Sequence, residues 1–468
     1  MKKYTITLLC CLLLITSVLA QDTVTQDSLG DLYFPDLGNG GYDSLHYHLQ
    51  VTPDFEAETL DAIVTIDIRA TQNLAEFNLD FWGFTITQLT VNGVSADYHR
   101  ADVELTIVPS TPILADETAT VMISYDGQPR DGIPLQDQFL VSAGWVFHEA
   151  GSLVVSEPFG ASLWYPVNDH PQDKATYSFE VTVPEPYVVA TNGQLIDVIE
   201  NDGMLTYQSE TNDLTSSYLV TVQIGDFILD ETQIENDVPI RNYFARPYYV
   251  TALPIFDETA EMIAFYEDIL GEYPFDVYGS IVSDFELPFA LETQTLSTYG
   301  THILEESPRT HITLAHELIH QWFGNSISPA RWQDIWLNEG FASYLSLLWA
   351  GEKYGEAIVP NILKDWYATS IEPDFYASSP DAIGNPTQKF FLHRAIYWKG
   401  ALTLHALRLR VGDEVFFEII RTYYQAYRDS HARVEDFIAI ANYVSQEDLN
   451  AFFDSWLYQK AIPEIKFE

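Results

Sequence analysis

The chain has 468 residues, of which 47% are hydrophobic and 14% aromatic, a composition that allows two or three globular domains and excludes a low-complexity protein. With 68 acidic and 22 basic side chains its formal net charge is −46, which argues against binding to nucleic acid. Because the acidic residues are spread along the whole chain, they favour a solvated surface over the alternative, a cleft that attracts cationic peptides.

The first twenty residues predict a secretory signal peptide. Lys2 and Lys3 precede an apolar run to Leu19, and Ala20 supplies a small residue for cleavage before Gln21. The apolar run is shorter than the roughly 20 residues that span a bilayer, so an uncleaved anchor helix is the less favoured alternative. We therefore expect an exported protein that is extracellular, periplasmic or at the cell surface, with no membrane span in the mature chain.

Both cysteines, Cys10 and Cys11, lie inside the predicted signal peptide. The exported chain would therefore contain no disulfide, no reactive thiol and no cysteine ligand. Any metal would have to be bound by histidine and carboxylate side chains.

The N-terminal half has the pattern of strands. Residues 21–44 are rich in Gly, Asp and Ser and predict an irregular lead-in. From Tyr47 onward apolar residues alternate with polar ones, as in half-buried strands. Asn92-Gly93 and Asn192-Gly193 predict tight hairpin turns. Since no helical pattern appears before about Phe227, residues 21–230 predict an all-β domain that is mainly antiparallel.

The C-terminal half, residues 231–468, predicts a mainly α domain. Helical spacing of apolar residues occurs from Met262 to Leu270, where Gly271 closes the segment, and again at 402–409 and 434–441. A small strand component is expected near 281–287.

The most informative motif lies in this second half. His316 and His320 are four residues apart in a predicted helix, so both imidazoles project from one face, with Glu317 beside them. Glu339 follows on a second predicted helix. Two imidazoles and a carboxylate form a tetrahedral zinc site with one position open for water, which predicts a zinc hydrolase. Two structural histidines on a helix are the alternative, and the spacing of Glu339 argues against it.

Nearby polar residues are candidates for orienting these ligands through hydrogen bonds, namely Asn325, Asp334 and Asn338. The remaining histidines of the second half have no partner at a ligand spacing, and we expect structural roles for them; they include His302, His311, His393 and His405.

The segments H-E-L-I-H-Q-W-F-G-N and W-L-N-E-G-F-A-S-Y closely resemble the zinc aminopeptidases of peptidase family M1, the aminopeptidase N-like enzymes. Three more segments resemble family motifs in the same order: S-E-P-F-G-A-S-L-W-Y-P from Ser156, F-A-L-E-T from Phe289 in place of G-x-M-E-N, and Y-W-K-G from Tyr397. The resemblance covers the chain from about Tyr47 to its end. It implies an N-terminal β domain followed by a thermolysin-like (gluzincin) catalytic domain, mostly α with a small sheet.

The resemblance also implies a secreted zinc aminopeptidase with one Zn²⁺ bound by His316, His320 and Glu339. Glu317 is implied as the general base that activates water, and Tyr397 as the group that stabilises the oxyanion.

The substrate implied by the family is a peptide with a free N-terminus. Its α-ammonium would be bound by Glu292 and Glu157, with Ala290 alongside. Phe289 and Thr293 replace the Gly and Asn with which the family motif usually begins and ends, so the preference for the substrate's side chain is expected to differ.

Because larger relatives continue beyond F-F-D-S-W-L-Y-Q-K-A-I-P, we expect a compact form without the C-terminal helical domain. Two alternatives remain: a zinc endopeptidase of the wider gluzincin class, and a non-catalytic peptide-binding scaffold. A scaffold is expected to have lost a ligand or Glu317, and none is missing.

Overall fold

The computed structural model describes residues 28–129, 144–232, 238–372, 382–390 and 392–467. The predicted signal peptide, with both cysteines, lies outside these residues. Among the helices within them, none is both long enough and apolar enough to cross a bilayer.

An eight-stranded sheet forms the body of the N-terminal domain. Its long strands alternate buried and more exposed positions, as predicted, and Val64, Ile66 and Ile68 are fully buried. Neighbouring strands are antiparallel except for β1 and β11, which are parallel. In spatial order the strands are β13 (Gln194–Asn201), β14 (Met204–Ser216), β11 (Lys174–Pro184), β1 (Tyr42–Asp54), β2 (Thr59–Ala70), β8 (Thr118–Gly127), β4 (Thr85–Val91) and β5 (Val94–Ser95).

Two smaller sheets pack against this body and share its hydrophobic core. The four-stranded sheet consists of β12 (Val188–Thr191), β15 (Val222–Gly225), β10 (Gly151–Val155) and β9 (Gly144–His148). The three-stranded sheet consists of β3 (Phe77–Asp80), β7 (Glu104–Val108) and β6 (Asp97–Ala101).

Of the two predicted hairpin turns, one is correct. Asn92-Gly93 joins the antiparallel strands β4 and β5 as a two-residue turn. The prediction at Asn192-Gly193 is wrong, because β12 pairs with β15 whereas β13 pairs with β14 in the large sheet. The Asn192 side chain donates hydrogen bonds to the carbonyls of Leu219 and Gln294, so this dipeptide joins two sheets instead of closing a hairpin.

The second domain begins with a five-stranded sheet. Its order is β16 (Phe227–Thr232), β17 (Ile240–Ala245), β18 (Tyr278–Val282), β20 (Ser297–Tyr299) and β19 (Ala290–Leu291). The predicted boundary at residue 230 falls inside β16, which pairs with β17 in this sheet. The strand expected at 281–287 starts earlier and ends at Val282.

Helices cover this sheet and form most of the second domain, as predicted. Gly271, with a φ of 107°, closes α2 at the predicted position. The helices are α1 (Tyr249–Phe256), α2 (Thr259–Leu270), α3 (Pro308–Ile319), α4 (Trp336–Tyr354), α5 (Ile358–Ser370), α6 (Arg394–Val411), α7 (Asp413–Tyr427), α8 (Val434–Ser445) and α9 (Asn450–Phe453). A short parallel pair, β21 (Ile327–Pro329) and β22 (Ser430–Ala432), joins the turn after α3 to the segment after α7.

Residues 28–41, part of the irregular lead-in predicted for 21–44, contact both domains. The Phe34 ring lies 5.4 Å from the ring of Phe159 and 6.5 Å from that of Trp332, between ring centres. This segment therefore packs against the N-terminal domain near Glu157 and against the turn that leads into α4.

Candidate active site

Helix α3 positions the two histidines of the predicted zinc motif. Its start is fixed by Pro308 in the first turn and by Ser307, whose hydroxyl accepts a hydrogen bond from the backbone N–H of Thr310. Its apolar face is buried in the core of the second domain. His316 lies in the last turn, and His320 is the residue at which the helix ends.

Helix α4 brings Glu339 to these histidines. Glu339 lies in the first turn of α4 and is only 3% exposed. The three nearest ligand atoms are mutually close. The Nε2 atoms of His316 and His320 are 3.1 Å apart, and an oxygen of Glu339 lies 3.2 Å from the first and 3.5 Å from the second.

These distances fit a single zinc ion. Metal–ligand bonds of about 2.0–2.2 Å at tetrahedral angles place ligand atoms roughly 3.3–3.6 Å apart. The donor set also favours zinc, because imidazole nitrogens with one carboxylate oxygen are ligands that zinc commonly takes. The residues present therefore fit the metal, and three protein ligands leave a fourth position for water.

A backbone carbonyl, rather than a predicted polar side chain, orients His320. Its Nδ1 lies 3.1 Å from the carbonyl oxygen of Phe323, so Nδ1–H donates and the Nε2 lone pair faces the other ligands. Asp334, expected to orient a ligand, instead forms an ion pair with Arg331 at 2.8 Å. The Asn338 amide donates to the Tyr218 hydroxyl at 3.4 Å.

Two amide side chains from the turn that follows α3 donate hydrogen bonds to the backbone carbonyl of Glu292. Asn325 Nδ2 donates to it at 2.6 Å and Gln321 Nε2 at 3.2 Å. The Gln321 side-chain oxygen also accepts the backbone N–H of Thr295 at 2.9 Å. Asn325 therefore contacts Glu292, for which ammonium binding was predicted, rather than a metal ligand, and Gln321 contacts the same carbonyl.

A buried lysine of the N-terminal domain supports the same turn. Lys174 Nζ donates to the backbone carbonyls of Asn325 at 2.6 Å and Ser326 at 2.8 Å. Burial lowers the pKa of Lys174 to about 7, against the opposing charge of Asp429. The N-terminal domain is therefore hydrogen-bonded directly to the turn that follows α3.

Carboxylates are concentrated beside the metal ligands. Oxygens of Glu157, Glu292 and Glu339 lie within 4.8 Å of one another. One oxygen of Glu157 and one of Glu292 are buried without a hydrogen-bond partner among the described residues. Burial raises the pKa values of Glu157, Glu292 and Glu317 above the usual range for glutamate, and the charge of Glu292 adds to the effect on Glu157. Such a cluster is stabilised by bound cations.

Tyr397 completes the site from α6. Its ring lies nearly parallel to that of His316, with 6.0 Å between ring centres. Helices α4 and α6 approach closely where Gly340 meets Gly400, because a Cβ on Gly340 would lie 3.0 Å from the Gly400 Cα. Burial and the nearby Glu339 carboxylate raise the pKa of Tyr397 well above 10, so its hydroxyl keeps its proton at neutral pH and can donate.

All the predicted metal, catalytic and substrate-binding side chains line one cavity of about 610 Å³. They are His316, His320, Glu339, Glu317, Tyr397, Glu292, Glu157 and Ala290. Ala290 lies on the edge strand β19, beside Phe289, which also lines the cavity.

Sequence comparison gives the family. The Peptidase M1 N-terminal domain matches residues 43–219, and the Peptidase family M1 domain matches residues 255–456. The chain belongs to peptidase family M1. The predicted fold class, a β domain followed by a mainly α gluzincin domain, is confirmed by these matches together with the observed architecture.

Solved and curated relatives resemble this M1 chain over most of its length. An M1 zinc metallopeptidase from Deinococcus radiodurans is 28% identical with a TM-score of 0.83, covering 94% of this chain and 98% of that one. Glutamyl aminopeptidase of Bitis rhinoceros is 24% identical over 91% of this chain and 47% of its own length. Aminopeptidase M1-A of Oryza sativa subsp. japonica is 26% identical over 90% of this chain and 50% of its own length. The chain thus spans about half the length of these curated relatives.

Two residues that contact this M1 site, Gln321 and Lys174, were not predicted from the sequence. Gln321 directly follows the second histidine, a position that could have identified it, whereas Lys174 gives no local signal. Of the histidines expected to be structural, His302 lines the cavity, where its Nδ1 contacts the Leu287 carbonyl at 3.0 Å. His405 contacts the Tyr344 hydroxyl at 3.2 Å, in agreement with a structural role.

Proposed function

We propose that this chain is an exported zinc aminopeptidase that hydrolyses the first peptide bond of peptides with a free N-terminus. The observation that carries the proposal is the position of the Glu157 and Glu292 carboxylates within 4.8 Å of the metal ligand Glu339. An α-ammonium is separated from the first carbonyl carbon by only the Cα atom, about 2.5 Å in all. An ammonium between the two anchors therefore places the first carbonyl at the metal site and keeps later bonds away from it.

His316, His320 and Glu339 would hold one zinc ion. Zinc bound there supplies Lewis acidity that makes water an effective nucleophile near neutral pH. Glu317 accepts the proton of the attacking water and passes it to the leaving amine. The Tyr397 hydroxyl donates a hydrogen bond to the carbonyl oxygen as negative charge develops there.

The relatives support this assignment. Curated relatives that align with most of this chain are named as aminopeptidases. A mutant of the Deinococcus radiodurans metallopeptidase is described bound to a Tyr-Ser-Ala substrate. A tripeptide in that protein is consistent with peptide hydrolysis in this one.

Cleavage of one peptide in free-amino and N-acetylated forms tests the anchor. The free-amino form should be hydrolysed and the acetylated form should not, because acetylation removes the charge that Glu157 and Glu292 bind. Equal cleavage of both would indicate a gluzincin endopeptidase, and purified protein without stoichiometric zinc would indicate a scaffold. Export is tested separately by the N-terminal sequence of the secreted product, which should begin at Gln21.

A further inference from the structure

The walls of the active-site cavity carry opposite charges in different places. Four carboxylates line it, and each has a role in metal binding, proton transfer or ammonium binding: Glu339, Glu317, Glu157 and Glu292. The guanidinium groups on its wall belong to Arg309 and Arg394, both exposed. In a chain with 68 acidic and 22 basic residues, a wall with two arginines and no further carboxylate among the described lining residues departs from the average surface.

Each arginine precedes a residue of the site on the same face of its own helix. On α3, Arg309, Thr313 and His316 follow helical spacing and all line the cavity, which places Arg309 about 10 Å from His316 along the axis. On α6, Arg394 lies one turn before Tyr397. Each arginine is in the first turn of its helix, where the helix dipole adds positive potential.

Arg394 is held in place by aromatic rings. Its guanidinium carbon lies 5.5 Å from the centre of the Trp398 ring. Trp398 in turn stacks on Trp366, with 5.7 Å between ring centres and 6° between planes. Cation–π contact limits the motion of the side chain, so less freedom is lost when it binds an anion. Both tryptophans line the same cavity.

A substrate held at the anchors can extend only towards the exposed part of the cavity wall, and Arg309 and Arg394 belong to that part. The anchor end is enclosed, since Glu292 is only 4% exposed and one Glu157 oxygen is buried. Residues beyond the first therefore extend towards the exposed first turns of α3 and α6. An extended peptide advances about 3.3–3.5 Å per residue. A carboxylate two or three residues beyond the cleaved bond thus comes within reach of a guanidinium.

We propose that Arg309 and Arg394 bind a substrate carboxylate at that distance, so that the favoured substrates are tripeptides and tetrapeptides with a free C-terminus. The inference rests on the proposed aminopeptidase function and narrows its substrate class. The shared chemistry is a carboxylate, whether it comes from the C-terminus or from an acidic side chain near the C-terminus. Arginine suits this role because its planar donors match the two carboxylate oxygens.

The test compares kcat/KM for Ala-Ala-Ala, Ala-Ala-Ala-amide and Ala-Ala-Glu-amide. The free acid should exceed the neutral amide by roughly 2- to 5-fold, as expected for a partly exposed ion pair. In the Arg309→Gln/Arg394→Gln variant that ratio should fall close to one, with the neutral amide little affected. A recovered rate for Ala-Ala-Glu-amide would show that side-chain carboxylates also bind, and no recovery would restrict binding to the C-terminus.

The matched control is Arg246→Gln/Arg410→Gln, which removes two exposed arginines whose ion pairs with Asp226 and Glu447 lie outside the cavity. It should retain the acid-to-amide ratio of the unchanged enzyme. Equal rates for acid and amide in the unchanged enzyme would overturn the carboxylate site while leaving the aminopeptidase intact. Failure to cleave any of the three peptides would overturn the proposed function and this inference with it.

Discussion

Replacement of Glu292 by Gln tests the amine anchor most sharply, because the change keeps the shape of the side chain and removes its charge. In the unchanged site the carboxylate lies within 4.8 Å of Glu157 and Glu339 and is 4% exposed. A charge-assisted hydrogen bond contributes about 1.5–3 kcal/mol. The loss of one such bond to the α-ammonium corresponds to a roughly 10- to 150-fold fall in kcat/KM for a free-amino peptide.

Stability should change in the opposite direction. Burial raises the pKa of Glu292, so the folded chain disfavours its ionised form. A carboxylate with a raised pKa weakens the fold as pH rises through that pKa, and its effect disappears below the unfolded value near 4.5. Glu292→Gln should therefore raise Tm at neutral pH and leave it unchanged in acid.

The assay combines steady-state kinetics on Ala-Ala-Ala with differential scanning calorimetry at pH 4 and pH 7. Glu267→Gln is a suitable control, because this half-buried carboxylate lies on α2 outside the cavity and glutamine keeps an oxygen that can accept the Tyr273 backbone N–H. A Glu292→Gln enzyme that keeps full kcat/KM on free-amino peptides would refute the assignment of this residue as an amine anchor.

Three other changes have expected outcomes. Tyr397→Phe should lower kcat by roughly 10²- to 10³-fold with little change in KM, since one oxyanion donor is lost, and single-turnover kinetics would check this. Lys174→Met should remove a pH dependence of stability. Because the pKa of Lys174 is about 7 in the folded chain and 10.5 in the unfolded chain, the unfolding free energy of the unchanged chain, relative to that of the variant, should rise between these pH values. Urea unfolding at several pH values would show this rise. Gly400→Ala should destabilise the fold by about 1–3 kcal/mol and reduce kcat, because its Cβ would lie 2.7 Å from the Gly340 Cα and separate α6 from α4; a normal Tm with normal kcat would contradict this packing.

The metal ligands could be predicted from sequence because their geometry is mostly local. Helical periodicity alone places His316 and His320 on one face of α3. The strands could be predicted for the same reason. Every second residue of a strand faces the core, and Val64 and Ile66 are buried in this way.

Features that depend on tertiary contacts were harder to predict. Asn192-Gly193 has a strong local turn signal, but hydrogen bonds from Asn192 to distant carbonyls place it between two sheets. Asp334 is close to Glu339 in sequence, yet its carboxylate pairs with Arg331. The Gln321 side chain donates a hydrogen bond to the backbone carbonyl of Glu292, 29 residues earlier. Because every residue has a backbone carbonyl, the sequence does not indicate which one accepts.

The relation between Glu157 and Glu292 shows what the family resemblance added. Neither residue belongs to a pattern that predicts proximity, and they lie on separate domains of the chain. The resemblance named both as anchors, and the structure brings their carboxylates within 4.8 Å of Glu339.

The most direct test of the central claim is a time course of peptide digestion followed by mass spectrometry, with the zinc-loaded enzyme and the Glu317→Gln variant side by side. We expect products that become shorter by one N-terminal residue at a time, and no turnover by the variant even though it retains zinc. Internal fragments as first products, or activity in Glu317→Gln, would contradict the proposed aminopeptidase mechanism.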